Sequence, residues 1–138
     1  MADTPVFSAR PNANSVAIST ANAARDGSGT MAILFTAGPS GSRVDQIIIK
    51  GISTTTAGII KLYIGSDADA NNTSNTHLIH EVAVLASMPS ATVLTYSSVL
   101  NSTTNFELLP LILPAGYTLR VDTTVPNPFR VSALGGDF

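Results

Sequence analysis

The sequence contains no cysteine, so neither disulfide bonds nor thiolate metal sites can stabilise the fold. It has no tryptophan, and only 12% of its 138 residues are charged, against about 25% in an average globular domain. Lysine and arginine number seven and the net charge is −2. A nucleic-acid partner would require a face rich in these cations, so we expect none. No apolar run approaches the ~20 residues of a membrane-spanning helix, so we expect no membrane association.

The N-terminus lacks the features of a secretory signal. Residues 1–5 (MADTP) carry neither a basic region nor an apolar segment. We therefore expect the protein to be made and used in the cytoplasm.

Small uncharged residues take the place of the missing charges. Serine, threonine, asparagine, glycine and alanine dominate, and mean hydropathy is +0.29. A chain of this length can form one domain that buries roughly two-thirds of its unfolded surface. The composition suits a β-protein that hides surface against other chains. A monomer with an uncharged polar surface is the alternative, and composition leaves it open.

The clearest pattern lies in residues 43–65, where two β-branched runs flank a polar connection at 53–58. Branched side chains pack well on a pleated surface, and the connection ends in a glycine. The stretch predicts a β-hairpin with a loop longer than two residues. The first strand has isoleucines on both faces, which is typical of a central strand. The second strand sorts into an apolar face of Ile60, Leu62 and Ile64 and an opposite face of Lys61 and Tyr63.

The rest of the chain repeats short strand patterns, with turn signals roughly every 8–14 residues. In residues 117–122 the alternation predicts three side chains inward and three outward. The inward set is Tyr117, Leu119 and Val121, and the outward set is Thr118, Arg120 and Asp122. We predict an all-β fold, a two-sheet β-sandwich or jelly roll of eight or nine short antiparallel strands. Connections made only of hairpins would instead give a meander barrel. Residues 1–13 are predicted to form an N-terminal arm and residues 14–138 a single β-sandwich domain.

No motif predicts catalysis or metal binding. Residues 67–71 match the start of an EF-hand calcium loop, but Asn72 and Leu78 occupy the positions that require glycine and glutamate. His77 and His80 lie three apart, so on a regular strand they point to opposite faces. The sequence has no nucleophile elbow, P-loop or HExxH motif. We therefore predict that the protein is not an enzyme and has no catalytic, cofactor-binding or metal-binding residues.

Several segments together resemble small structural proteins of tailed bacteriophages and prophages. The resemblance covers most of the chain from Gly27 onward and is a pattern of strands and turns rather than a chemical signature. The segments that carry it are 36–47 (TAGPSGSRVDQI), 54–58 (TTTAG), 62–64 (LYI), 78–82 (LIHEV), 111–121 (LILPAGYTLRV) and 131–138 (VSALGGDF).

The resemblance implies a virion component with a sandwich or jelly-roll fold, assembled in the bacterial host cytoplasm. Our first interpretation is a capsid decoration (cement) protein that binds and stabilises the head shell. Its partners would be the major capsid protein or other virion proteins. It would form a homo-oligomer, with a trimer favoured because closed symmetry buries exposed strand edges. The alternative is a β-sandwich module of the tail, baseplate or neck that binds a host-surface glycan.

Two segments combine an aromatic residue with prolines and have little evident core role, so we expect them to contact partners. The candidate residues are Val6, Phe7 and Arg10 in the arm, and Pro126, Pro128 and Phe129 near the C-terminus. The alternative is that Phe7 and Phe129 fill the ends of the sandwich.

Overall fold

The computed structural model describes residues 9–66, 73–101, 103 and 108–138. Regular structure in these residues is β-strand, and nine strands form two antiparallel sheets that enclose one core. The strands are β1 Arg10–Ile18, β2 Ala32–Thr36, β3 Ser42–Gly51, β4 Gly58–Gly65, β5 Thr76–Val84, β6 Ser97–Asn101, β7 Leu111–Leu113, β8 Thr118–Thr123 and β9 Phe129–Asp137. The predicted all-β sandwich is confirmed.

The strand order is that of a jelly roll. The first sheet has the order β1-β9-β3-β6, with the short β7 pairing with β3 beside β6, and the second has the order β2-β8-β4-β5. The chain passes repeatedly from one sheet to the other, which produces two interleaved Greek keys. Every strand therefore presents one face to the space between the sheets.

The predicted hairpin between β3 and β4 is wrong. The two strands belong to different sheets, and residues 52–57 cross between them. Each strand has a strongly apolar face, and the two faces meet across the core instead of lying side by side. A short polar connection between two apolar strands fits either arrangement, so the sequence pattern does not distinguish them.

The predicted alternation in β4 and β8 is confirmed. Ile60 and Leu62 are fully buried in the core, and Leu62 lies opposite Val121 of β8. In β5 simple alternation fails, because Ile79 is an extra residue opposite β4 and forms a β-bulge. Because of the bulge, His77 and His80 both lie opposite core-facing residues of β4 and so share one face of the sheet, unlike residues three apart on a regular strand.

Side-chain amides close the gap between the two sheets at β1 and β2. Asn12 Nδ2 donates a hydrogen bond to the carbonyl of Thr36 at 3.2 Å, and Asn14 Nδ2 donates to that of Leu34 at 3.0 Å. These bonds satisfy edge carbonyls that would otherwise lack a ladder partner.

β1 begins at Arg10 and pairs with β9 along its full length, so the strand starts inside the range predicted for the arm. Residues 1–8 of that arm lie outside the described residues.

Four connections emerge at the same end of the sandwich. Ile18 at the end of β1 and Gly51 at the end of β3 both lie opposite Phe129, where β9 starts. The connections are β1–β2 (19–31), β3–β4 (52–57), β5–β6 (85–96) and β8–β9 (124–128). The β1–β2 loop then runs over the outer face of the second sheet, where it covers polar residues.

Candidate interaction surface

The charged side chains predicted to point outward from β4 and β8 are buried. Lys61 and Asp122 are cross-strand neighbours and almost completely inaccessible to solvent. The β1–β2 loop lies over them. Lys61 Nζ donates to the backbone carbonyls of Asn22, at 2.8 Å, and Ala24, and lies 3.4 Å from Asp122 Oδ2. This part of the second sheet is therefore interior to the domain.

Burial changes how the acidic group of this cluster titrates. Loss of solvent raises the pKa of Asp122 to about 6, and the neighbouring Lys61 ammonium offsets that rise only in part. Asn22 Nδ2 donates to Asp122 Oδ2 at 2.9 Å, whereas Oδ1 accepts no hydrogen bond from the described residues. Tyr63 donates to the Ala24 carbonyl at 2.9 Å, and burial together with the Asp122 charge raises its pKa.

A second buried cation, Arg120, occupies the same face of β8. Its Nη1 donates to Thr76 Oγ1 at 2.5 Å and its Nε to Thr118 Oγ1 at 2.9 Å. A Cβ added at Gly65 would lie 2.7 Å from the guanidinium carbon, so only glycine leaves room for Arg120 here. These bonds hold the arginine inside the fold.

A small cavity of about 130 Å³ lies where β1 ends and β2 begins. Among the described residues that line it, Asp122 alone is ionisable, and the others are Ala17, Ile18, Ser19, Thr20, Thr30, Met31, Ala32 and Val121. These lining residues include no imidazole or second carboxyl beside a hydroxyl, as an activated nucleophile would require. Among the residues that the structure describes, no group of three or more histidine, aspartate or glutamate side chains could hold a metal ion.

Large apolar side chains are exposed at the end where the four connections meet. Leu94 is 90% exposed and Met88 is 77% exposed. We call this surface the apolar end; its exposed large side chains are Ile52, Leu85, Met88, Val93 and Leu94. Single exposed apolar residues are ordinary, whereas a group of them in neighbouring loops is a candidate interaction surface.

Hydrogen bonds fix the loops that carry the apolar end. Thr55 and Ser87 exchange two backbone bonds, of 2.9 and 3.1 Å, and so tie the β3–β4 loop to the β5–β6 loop. Thr95 Oγ1 donates to the carbonyl of Gly51 at 2.7 Å. Ser90 Oγ accepts from the backbone N–H of Val93 at 3.1 Å, which closes a local turn. Ordered loops thus hold the apolar side chains outward, and little order has to be gained on binding.

The structure brings together some of the predicted contact residues. Pro126 and Pro128 are exposed beside the apolar end, and the Pro128 carbonyl accepts a 3.0 Å bond from the Ile52 N–H. Phe129 is fully buried and packs edge-to-face against Tyr96, with 6.4 Å between ring centroids. It fills the end of the sandwich, the alternative considered from sequence, because the inward face of β9 places it there. Its ring is therefore not available to a partner.

The predicted residues of the arm lie elsewhere. Arg10 is exposed and sits opposite Asp137, at the far end of β1 from the apolar end. Val6 and Phe7 lie outside the described residues.

The apolar end was not predicted from the sequence. Most of its exposed side chains lie in the connection 85–96, and β6 begins only at Ser97. The available signal was the placement of Leu85, Met88 and Leu94 among serine, proline and threonine, where a strand interior is unfavourable.

The outer face of the first sheet is open to solvent. Val99 of β6 and Leu134 of β9 are exposed on it, and β1 adds only small side chains such as Ala13, Ser15 and Ala17. Arg43 pairs with Asp45 near the start of β3, at 2.5 Å.

No protein-family model matches the chain, and no curated protein matches it. The chain is similar to one in the structure of the cyanophage Pam1 capsid asymmetric unit, with 11% identity and a TM-score of 0.40, over 100% of this chain and 94% of that chain. It is also similar to a chain in the structure of infectious bursal disease virus, Gx strain, with 12% identity and a TM-score of 0.33, over 98% of this chain and 35% of that one. Both likenesses are weak, so no function is transferred from either protein.

In the described residues there is no helix that is both long and apolar enough to span a membrane.

Proposed function

We propose that the protein is a bacteriophage virion structural protein, a capsid decoration (cement) protein that binds and stabilises the head shell and catalyses no reaction. The apolar end is the observation that carries this proposal. It is a set of exposed large side chains on hydrogen-bonded loops at one end of a sandwich.

Contact with another protein is the use that suits such a surface best. Interfaces have an apolar centre with a polar rim, and charged residues are depleted at the centre. Threonine, serine and proline surround the exposed side chains in these loops. Few charges need to lose their solvent when this end meets a partner, which lowers the desolvation cost of binding. The sequence resemblance to phage structural proteins supports the capsid as that partner.

Assembly into a closed homo-oligomer, with a trimer favoured, is part of the proposal. The first sheet keeps an open outer face, and its β6 and β7 edge has no further strand beside it among the described residues. Cyclic symmetry would cover such surfaces with identical copies. We propose that residues 5–10 act as an arm in these contacts. Deletion of residues 1–10 should then reduce oligomer size in sedimentation analysis, and an unchanged size would exclude the arm from assembly.

Binding to capsids that lack this protein tests the proposal. The purified protein should add to such particles in many copies. The double variant Met88→Ser/Leu94→Ser should lose that binding while its melting temperature stays close to wild type, because both side chains are exposed. Ile112→Ser is the matched control: Ile112 is 63% exposed on β7, away from the apolar end, and its replacement should leave binding intact.

The alternative function, a module of the tail, baseplate or neck, predicts a different copy number. Such a module would be present in a small closed ring of copies per particle. Retention on a host-surface glycan array together with no binding to the head shell would replace the decoration role with glycan recognition.

A further inference from the structure

Two exposed cations face each other on the outer side of the first sheet. Lys50 of β3 lies directly opposite Arg130 of β9 in the antiparallel register. The next positions in the same row are uncharged, with Ser97 of β6 beside Lys50 and Ala17 of β1 beside Arg130. We call Lys50 and Arg130 the basic pair.

Like charges directly opposite each other destabilise a strand pair, so this arrangement does not serve the fold. The ion pairs formed within the described residues use Arg25, Arg43 and Lys61 and leave the basic pair out. Arg43 lies on the same face of the first sheet but is neutralised by Asp45. The basic pair is thus a local concentration of positive charge on a chain whose net charge is −2.

The basic pair borders the apolar end. Lys50 is two residues from the exposed Ile52, and Arg130 follows Phe129 and the exposed Pro128. The Ile52 N–H donates to the Pro128 carbonyl, so the strand ends that carry the two cations are joined next to the apolar side chains. An apolar centre with cations at its margin is the arrangement of a protein–protein contact.

We infer that the basic pair forms the polar rim of the apolar end and binds one or more carboxylates. The partner bound there would then present aspartate or glutamate beside an apolar patch. This inference rests on the proposed function for the identity of that partner, the capsid protein, and adds the chemistry by which it is recognised. An arginine guanidinium can bind a carboxylate through two parallel hydrogen bonds, and the lysine ammonium adds a second charge.

A protein carboxylate fits better than a nucleic-acid phosphate. Phosphate backbones are bound by many cations along a track, whereas here two cations adjoin exposed apolar side chains. Opposite charge at the rim of an interface mainly accelerates association and fixes orientation, and salt weakens it.

The test compares Lys50→Gln/Arg130→Gln with Arg43→Gln in binding to capsids that lack this protein, over a series of NaCl concentrations. The double variant should bind about five- to tenfold more weakly at low salt and lose most of the salt dependence. Arg43→Gln removes a cation that Asp45 already neutralises and should behave like wild type. The melting temperature of the double variant should equal or exceed that of wild type, because repulsion is relieved.

The outcomes separate this inference from the proposed function. If Met88→Ser/Leu94→Ser abolishes binding but the basic-pair variant binds like wild type at every salt concentration, the decoration role stands and the carboxylate contact is refuted. If wild type binds no capsid, the proposed function fails.

A titration with poly-L-glutamate, followed by amide NMR, then tests the basic pair by itself. Shifts concentrated at residues 50–52 and 128–130 support a carboxylate site. Shifts spread equally over Arg10 and Arg43 refute it, as does stronger binding of the same surface to a single-stranded DNA oligonucleotide than to poly-L-glutamate.

Discussion

The outer faces of the two sheets differ in what covers them. The outer face of the second sheet carries Lys61, Arg120 and Asp122, yet all three are buried. The first sheet has Val99 and Leu134 exposed on its outer face. Charged side chains are thus buried on the second sheet, whereas the first sheet exposes both these apolar side chains and the basic pair. The second sheet is therefore covered by its own chain, whereas the outer face of the first sheet is exposed.

The β1–β2 loop makes the difference. Its backbone carbonyls at Asn22 and Ala24 accept bonds from Lys61, and the Asn22 side chain donates to Asp122. Gly27 in this loop has φ of +92°, and a Cβ there would lie 2.3 Å from the Thr76 carbonyl, so the loop packs tightly on β5. The loop can cover charged residues because it supplies the hydrogen bonds that water would otherwise provide.

The largest expected effect on stability comes from breaking the buried ion pair between Lys61 and Asp122. Asp122→Leu or Lys61→Met alone leaves a charged partner buried without its counter-ion, and each should lower the free energy of unfolding by about 3–5 kcal/mol. The double variant Lys61→Met/Asp122→Leu should be more stable than either single variant, since no unpaired charge remains. Urea denaturation measures all three.

Arg25→Gln is the matched control for this experiment, because Arg25 pairs with Glu81 at the exposed margin of the same face. It should leave stability close to wild type. Equal losses for Arg25→Gln and Lys61→Met would show that burial by the loop is not what makes the inner pair important.

The second effect is a pH dependence that belongs to Asp122. Its pKa rises from 3.8 to about 6 on folding. Between these values the folded protein holds a proton that the unfolded chain has released, so the contribution of this carboxyl to stability is present in acid and lost as pH rises from about 4 to about 6. The unfolding free energy of wild type minus that of Asp122→Asn should therefore fall by about 2–3 kcal/mol across that interval.

Urea unfolding of wild type and Asp122→Asn, repeated through the interval, measures this difference. Asp26 and Asp137 have pKa values below the usual range, because serine and asparagine groups donate hydrogen bonds to them. Their contributions are lost below that interval as pH falls, and they cancel between the two proteins. A flat or rising difference would mean that Lys61 keeps Asp122 ionised throughout.

The smallest expected effect is on the open face. Val99→Thr keeps a β-branched side chain on an exposed strand position and should change the free energy of unfolding by no more than about 0.5 kcal/mol. Leu100→Ala, one residue along on the inward face of β6, should cost about 2–5 kcal/mol because Leu100 is 4% exposed. A large loss from Val99→Thr would indicate that the first sheet is covered after all.

The local sequence pattern was sufficient to predict the strands and their faces, but not which strands pair with each other. The alternation in residues 60–64 and 117–122 predicted which side chains face the core, because the pleat fixes the faces of neighbouring residues. The same pattern did not show that β3 and β4 lie in different sheets, since both arrangements bury the same faces. It also missed the bulge at Ile79, because an extra residue in one strand is defined only by its partner strand.

The candidate surface shows the same division. Prolines at 126 and 128 were predicted to lie at a contact surface, and the structure places them beside the apolar end. Ile52, Leu85, Met88 and Leu94 were not predicted to lie there, because exposure depends on which loops meet in space. Phe129 was grouped with the prolines by sequence proximity, but its position on the inward face of β9 buries it.

By itself the sequence determined an all-β chain with few charges, no cysteine chemistry and strands whose inward faces can be read from their alternation. Only the tertiary structure decided that the β1–β2 loop buries Lys61 and Asp122, and that apolar side chains from separate loops gather at one end. The physical reason is that strand periodicity is local, whereas burial depends on segments distant in sequence.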